Sequence, residues 1–166
     1  MKELLVQYAA YNHWANGLII QLLSDLSEEQ LHQDLGGSFP SAYKTATHIW
    51  MAESVWLQRL QMAEHIIVPT ENFSGDFVEA CKLWTVSSEG LLHFTKKIND
   101  ERGLTHEFHY KNIKGETFKS KVYECLQHVA NHSTFHRGQL INFLRQLGVT
   151  KIPSTDFITF CRMKKG

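Results

Sequence analysis

Four long stretches of this chain repeat their apolar residues at intervals of three and four, and none of them is interrupted by proline. The three prolines fall at Pro40, Pro69 and Pro153, between or beyond those stretches. A 3.6-residue period sustained over twenty residues writes an amphipathic α-helix, so the chain is constrained to fold mostly as packed helices. The first helix is expected from about Glu3 to Ser24, with Leu4, Leu5, Tyr8, Tyr11, Ala15, Leu18, Ile19 and Leu22 on its apolar stripe and Asn12 among them. Ser27-Glu28-Glu29-Gln30 reads as a capping box opening a short helical piece that Gly36-Gly37 closes. A second long helix follows Pro40-Ser41 and runs to about His65, carrying Ala42, Ala46, Ile49, Ala52, Trp56 and Leu60 on one side. A third spans about Gly75 to Ile98 with Ser74 as its cap, and a fourth spans about Lys121 to Leu147, stopped by Gly148.

Residues 104–118 break the helical period. In His106-Glu107-Phe108-His109-Tyr110 alternate residues share a face, and Lys114-Gly115 marks a turn, which together predict a short β-hairpin before the last helix. The segment from Ile152 to Phe157 reads as an extended or weakly ordered tail. The expected fold is therefore all-α, a four-helix bundle with one hairpin, with residues 1–166 forming one domain.

Lysine plus arginine and aspartate plus glutamate both number 17. That balance argues against a protein that tracks nucleic-acid phosphates. No apolar run is long enough to span a membrane and the start does not read as a signal peptide, so the expected location is the cytoplasm. Cys81, Cys125 and Cys161 are too far apart for a Cys-x-x-Cys site and read as reduced thiols. Cys125 shares a wheel sector with His132, but a small buried side chain is the better reading.

The chemistry concentrates in the fourth helix, where His128, His132 and His136 recur every fourth residue. Four residues advance a helix by about 400°, which stacks such side chains on one face about 6 Å apart. An adjacent pair can share one metal ion, whereas His128 and His136, about 12 Å apart in rise, cannot. On the helical wheel His136 lies inside the apolar sector, His132 at its border and His128 outside it. The inward pair is therefore His132 and His136.

A third ligand must come from another helix, and His48 is the best placed of the ten histidines, at the edge of the second helix's apolar sector. His13 faces mostly outward, His65 and His93 lie near helix ends, and His106 and His109 ride on the hairpin. A di-iron centre fits poorly, because it needs two Glu-x-x-His motifs and several core carboxylates, in which these helices look poor. Arg137 points about 100° away from His136 and suggests a structural ion pair. Gln139 could bond at the rim of the site, Asn12 could support a ligating ring, and Gly138 suggests close packing there.

These residues carry a resemblance. His48 on the second helix, with Asn131-His132 and then His136-Arg137-Gly138-Gln139-Leu140 on the fourth, resembles the DinB/YfiT-like family, which is unrelated to the DNA polymerase of similar name. Tyr11 to Asn16 and Pro153 with Asp156-Phe157 extend the likeness over nearly the whole chain, more weakly. The resemblance implies a four-helix bundle binding one divalent metal ion, nickel or zinc, through His48, His132 and His136. It further implies thiol-dependent S-transfer, with a low-molecular-weight thiol such as bacillithiol or mycothiol, a small-molecule substrate, a stress or detoxification role and a homodimer. Trp14, Trp50, Trp56 and Trp84 are candidates for its surface. A metal-dependent hydrolase and a non-enzymatic metal- or ligand-binding stress protein are the alternatives. Three imidazoles leave coordination positions open, whereas structural zinc sites close with four protein ligands. An enzyme of either kind should show a pocket of a few hundred Å³ opening onto the metal.

Overall fold

The computed structural model describes residues 1–112 and 114–163. Four long helices, α1 (Lys2–Ser24), α3 (Ala42–Leu60), α4 (Phe77–Lys97) and α6 (Val122–Gln146), make the bundle. Three short helices, α2 (Glu28–His32), α5 (Glu101–Thr105) and α7 (Phe157–Met163), decorate it. The expected hairpin is present as antiparallel strands β1 (Glu107–Lys111) and β2 (Thr117–Lys121), with Phe108 opposite Ser120 and Tyr110 opposite Phe118. Helix α1 packs on α4 and α6, and α3 packs on the same two. No helix among the described residues is long and apolar enough to cross a membrane.

Local chemistry explains the boundaries. The capping box forms as expected: Gln30 N–H donates to Ser27 Oγ and Ser27 N–H donates to Gln30 Oε1. Ser41 caps α3 through Lys44 N–H. That helix ends at Leu60 and not near His65, because Met62 adopts φ 56° and turns the chain away. Helix α4 is capped by Asp76, which accepts from Glu79 N–H, so the expected Ser74 cap is two residues early. At Gly90 a Cβ would lie 2.6 Å from Leu57 Cδ2, and the missing side chain lets α3 approach α4. Gly148, at φ 88°, terminates α6.

The tail departs from expectation. Residues 157–163 form a helix that folds back on α1, where the Phe157 ring stacks on Tyr8 at 4.8 Å and Phe160 packs on Tyr11 and Trp14. Aromatic burial of this kind fixes a short helix that its own propensity would not hold.

The core holds two large apolar clusters separated by a polar layer, with a smaller third cluster of Tyr11, Ala15 and Phe160 beneath α7. Ile19, Leu23, Ile49, Trp84, Leu140 and Leu144 fill one end, and Leu5, Leu60, Leu91, Phe108, Leu126 and Val129 fill the other. Between them each long helix contributes buried polar residues: Asn12 and Asn16, Glu53, Ser88, and Ser133 with Arg137. Trp50 and Trp84 belong to the interior, which removes them from any subunit surface. Cys81 and Cys125 are buried as well, and burial pushes both thiols up to about 11.

Candidate metal centre

Helix α3 brings His48 to the gap that α6 lines with His132 and His136. One ligand-capable atom of each ring lies within 4.8 Å of the others. Among the described residues this is the one group of three or more such side chains close enough to share an ion. The Nε2 atoms of His48 and His132 are 3.0 Å apart, so in the metal-free chain one carries a proton and the other accepts it. The ring centroids of His132 and His136 are 4.4 Å apart, as the i, i+4 spacing on one helix requires. His136 is buried, while His48 and His132 are half-buried and open towards solvent.

The rings are held by neighbours of several kinds. Phe39 stacks on His48 with centroids 3.8 Å apart and meets His136 edge-on at 5.6 Å. Gln139 Oε1 lies 2.7 Å from His136 Nδ1, which fixes that nitrogen as the donor and leaves Nε2 with a free lone pair. His132 Nδ1 is buried without a hydrogen-bond partner, so packing and the Nε2 contact with His48 orient that ring. Burial, reinforced by His136, holds the His48 imidazole down at about 4. Burial first, then His136, His48 and His128, holds His132 at about 3. Both rings are therefore neutral at ordinary pH, the state in which a ring nitrogen can bind a metal.

His128 stands apart, as its wheel position requires. It is exposed, its ring meets Trp56 at 5.1 Å and His132 at 5.8 Å, and it is not in the converging group. Three other expectations need correction. A Cβ on Gly138 would meet nothing within 4 Å, so close packing is not what that glycine serves. Asn12 does not reach a ligating ring; its amide donates to Glu53 Oε1 at 2.7 Å and accepts from Arg137. The cavity of about 840 Å³ lies between the end of α3 and the hairpin, and none of the three histidines lines it.

Glu53 is the residue that sequence reasoning missed. It lies five positions after His48 and is fully buried, despite the apparent lack of core carboxylates. Its Oε1 accepts from Asn12, Asn16 and Ser133, and its Oε2 accepts from Ser88 at 2.6 Å. Those donors engage both oxygens, and Glu53 is not in the converging histidine group. Arg137, 2% exposed, completes the layer by donating to Asn12, Asn16 and Thr134. Burial lowers its pKa, opposed by Tyr11 and Glu53. The expected ion pair is thus indirect, with two asparagine amides between the charges. A signal was available: Asn12 and Asn16 at i, i+4 on an apolar stripe demand polar partners from the facing helices.

The comparisons with known proteins agree with this architecture. The family model described as DinB family matches residues 1–165. Protein DinB of Bacillus subtilis (strain 168) is 29% identical over 174 aligned positions, covering 99% of this chain and 98% of that protein. Among solved structures, a DinB-like protein from Bacillus subtilis superposes with a TM-score of 0.68 at 18% identity, covering 90% of this chain and 97% of that one. At that identity the likeness speaks to the fold alone.

Proposed function

The chain belongs to the DinB family, and from that premise we propose that His48, His132 and His136 hold one divalent metal ion, nickel or zinc, in a thiol-dependent S-transferase. The observation that carries the reading is the convergence of three imidazole nitrogens from two helices within 4.8 Å. Nitrogen donors of this kind suit both ions, and neither an oxygen-rich cage nor a thiolate set is present in the group. A divalent ion held by these rings would supply Lewis acidity, lowering the pKa of a thiol or water that binds beside it.

The protein's own part is to present the three rings and to hold His48 and His132 neutral. Phe39 and Gln139 fix His48 and His136, and Phe135 meets His136 edge-on at 5.0 Å. Three neutral ligands contribute no negative charge, so the cluster favours an anionic partner from solution, and a thiolate meets that requirement. Three protein ligands also leave room for such a partner, unlike a closed four-ligand site. A stress or detoxification role follows from the reaction class, which consumes electrophiles.

The test is spectroscopic. The cobalt- or nickel-substituted protein is titrated with glutathione, coenzyme A, bacillithiol and mycothiol, and each thiol is then assayed for consumption by an electrophile. A thiol that both shifts the metal spectrum and is consumed faster supports the reading. Unchanged spectra with all four would reject S-transfer and favour metal-dependent hydrolysis or a non-enzymatic binding role.

A further inference from the structure

The cavity beyond the histidines has a chemistry of its own. Its walls come from the end of α3, the turn after it and strand β1, and its volume of about 840 Å³ lies in the range of small-molecule sites. Val55, Ile66, Val68 and Phe108 make the apolar part. Into it projects Arg59, whose guanidinium lies over Trp56 at 4.8 Å and over Tyr110 at 5.2 Å.

Arg59 is a cation held in place without a counter-ion. Its Nη2 donates to the backbone carbonyl of Lys111 at 2.9 Å, and its Nε is buried with no hydrogen-bond partner. Among the described residues no carboxylate lies within ion-pairing distance of it. The two carboxylates that line the cavity are placed elsewhere: Glu107 is paired with Lys119, and Glu64 lies 4.0 Å from His65. His106, His109 and Lys111 add donors to the same wall. A planar guanidinium braced by two rings and unpaired with any carboxylate is a preorganised receptor for a forked oxyanion.

We propose that this cavity is a binding site for an organic oxyanion, a carboxylate or sulfonate with an apolar body, whose acid group pairs with Arg59 while its body packs on Val55, Ile66, Val68 and Phe108. The assignment does not depend on the metal reading. Trp56 touches both Arg59 and His128, so an occupied cavity is linked by ring contacts to the edge of the histidine cluster.

The test uses the full chain with two fluorescent probes of similar shape, anilinonaphthalene sulfonate and uncharged N-phenylnaphthylamine. The sulfonate should bind saturably at one per chain and at least about ten-fold more tightly than the neutral probe, the scale of a hydrogen bond to a charged group. Arg59→Gln should weaken the sulfonate by about ten-fold or more and leave the neutral probe unchanged, with Arg59→Lys falling between. Methyl signals of Val55, Ile66 and Val68 should shift on titration with the sulfonate. Equal affinity for both probes, unweakened binding to a folded Arg59→Gln, shifts confined to other residues, or no binding would each overturn the proposal. Should Arg59→Gln fail to fold, the two probes and the methyl shifts on the unaltered protein decide it.

Discussion

Glu53 and Arg137 face each other across the bundle without touching, and the amides of Asn12 and Asn16 stand between them, each donating to the carboxylate and accepting from the guanidinium. A buried charge is costly unless its hydrogen bonds are complete. Here the amides complete them for both partners and tie α1 to α3 and α6 at one level. Glu53→Gln keeps the shape but places an NH₂ group among donors and leaves Arg137 without its compensating charge. The loss expected in urea denaturation is about 3–5 kcal/mol, the scale for breaking a buried charge pair. Arg137→Met should cost a similar amount. The double variant should cost clearly less than the two losses added, because neither charge is then left alone.

The histidines should separate by position. Replacing His48, His132 or His136 with alanine removes one of three ligands, and nickel or zinc affinity in equilibrium dialysis should fall by at least roughly 100-fold. His128→Ala should keep the metal, since that ring lies outside the converging group. Strong loss of metal in His128→Ala, with retention in His136→Ala, would reverse the assignment of the inward pair.

Gln139 acts on the metal through one ring. Its oxygen holds the Nδ1–H of His136 at 2.7 Å, which sets the tautomer that leaves Nε2 free. Gln139→Leu should therefore lower metal affinity by about 10–100-fold without altering the ligand set. Gln139→Glu should preserve or raise affinity, because a carboxylate accepts the same hydrogen bond more strongly. A leucine variant that binds metal normally would mean that packing against Phe39 and Phe135 suffices to orient the ring.

How far the site was legible follows from its periods. His132 and His136 could be placed because one helix carries both, and the wheel relates every residue on a helix to its apolar face. His48 could be placed for the same reason on α3, while its 3.0 Å approach to His132 depends on how the helices pack. Glu53 was hidden because a lone carboxylate near the end of an apolar sector looks like a border residue. The amides arriving from α1, with the hydroxyls of Ser88 and Ser133, make its burial tolerable. Helix α7 was hidden because seven residues carry too little periodicity, and the contacts of Phe157 and Phe160 with α1 hold it in place. The cavity at Arg59 was beyond reach for the same reason: its walls come from a helix end, a turn and a strand.

Acid should destabilise the metal-free protein over a window set by two rings. An unfolded histidine titrates near 6.5, while in the folded chain burial and neighbouring histidines hold His48 at about 4 and His132 at about 3. Below a pH of about 6.5 the unfolded chain takes up protons that the folded chain refuses, so the unfolded state binds more protons and stability falls as pH falls. This contribution is complete above the unfolded pKa. It is lost progressively down to the folded values, to about 4 for His48 and about 3 for His132. Both rings are partly open to solvent, which screens the effect and argues for a moderate slope. Melting temperatures measured with a chelator present, from about pH 7 to about pH 4.5, should decline across this range. His48→Gln and His132→Gln should each flatten the decline, because each removes a group that protonates only on unfolding. If both variants keep the slope of the unaltered protein, the acid sensitivity arises elsewhere and the two rings are not held neutral by the fold.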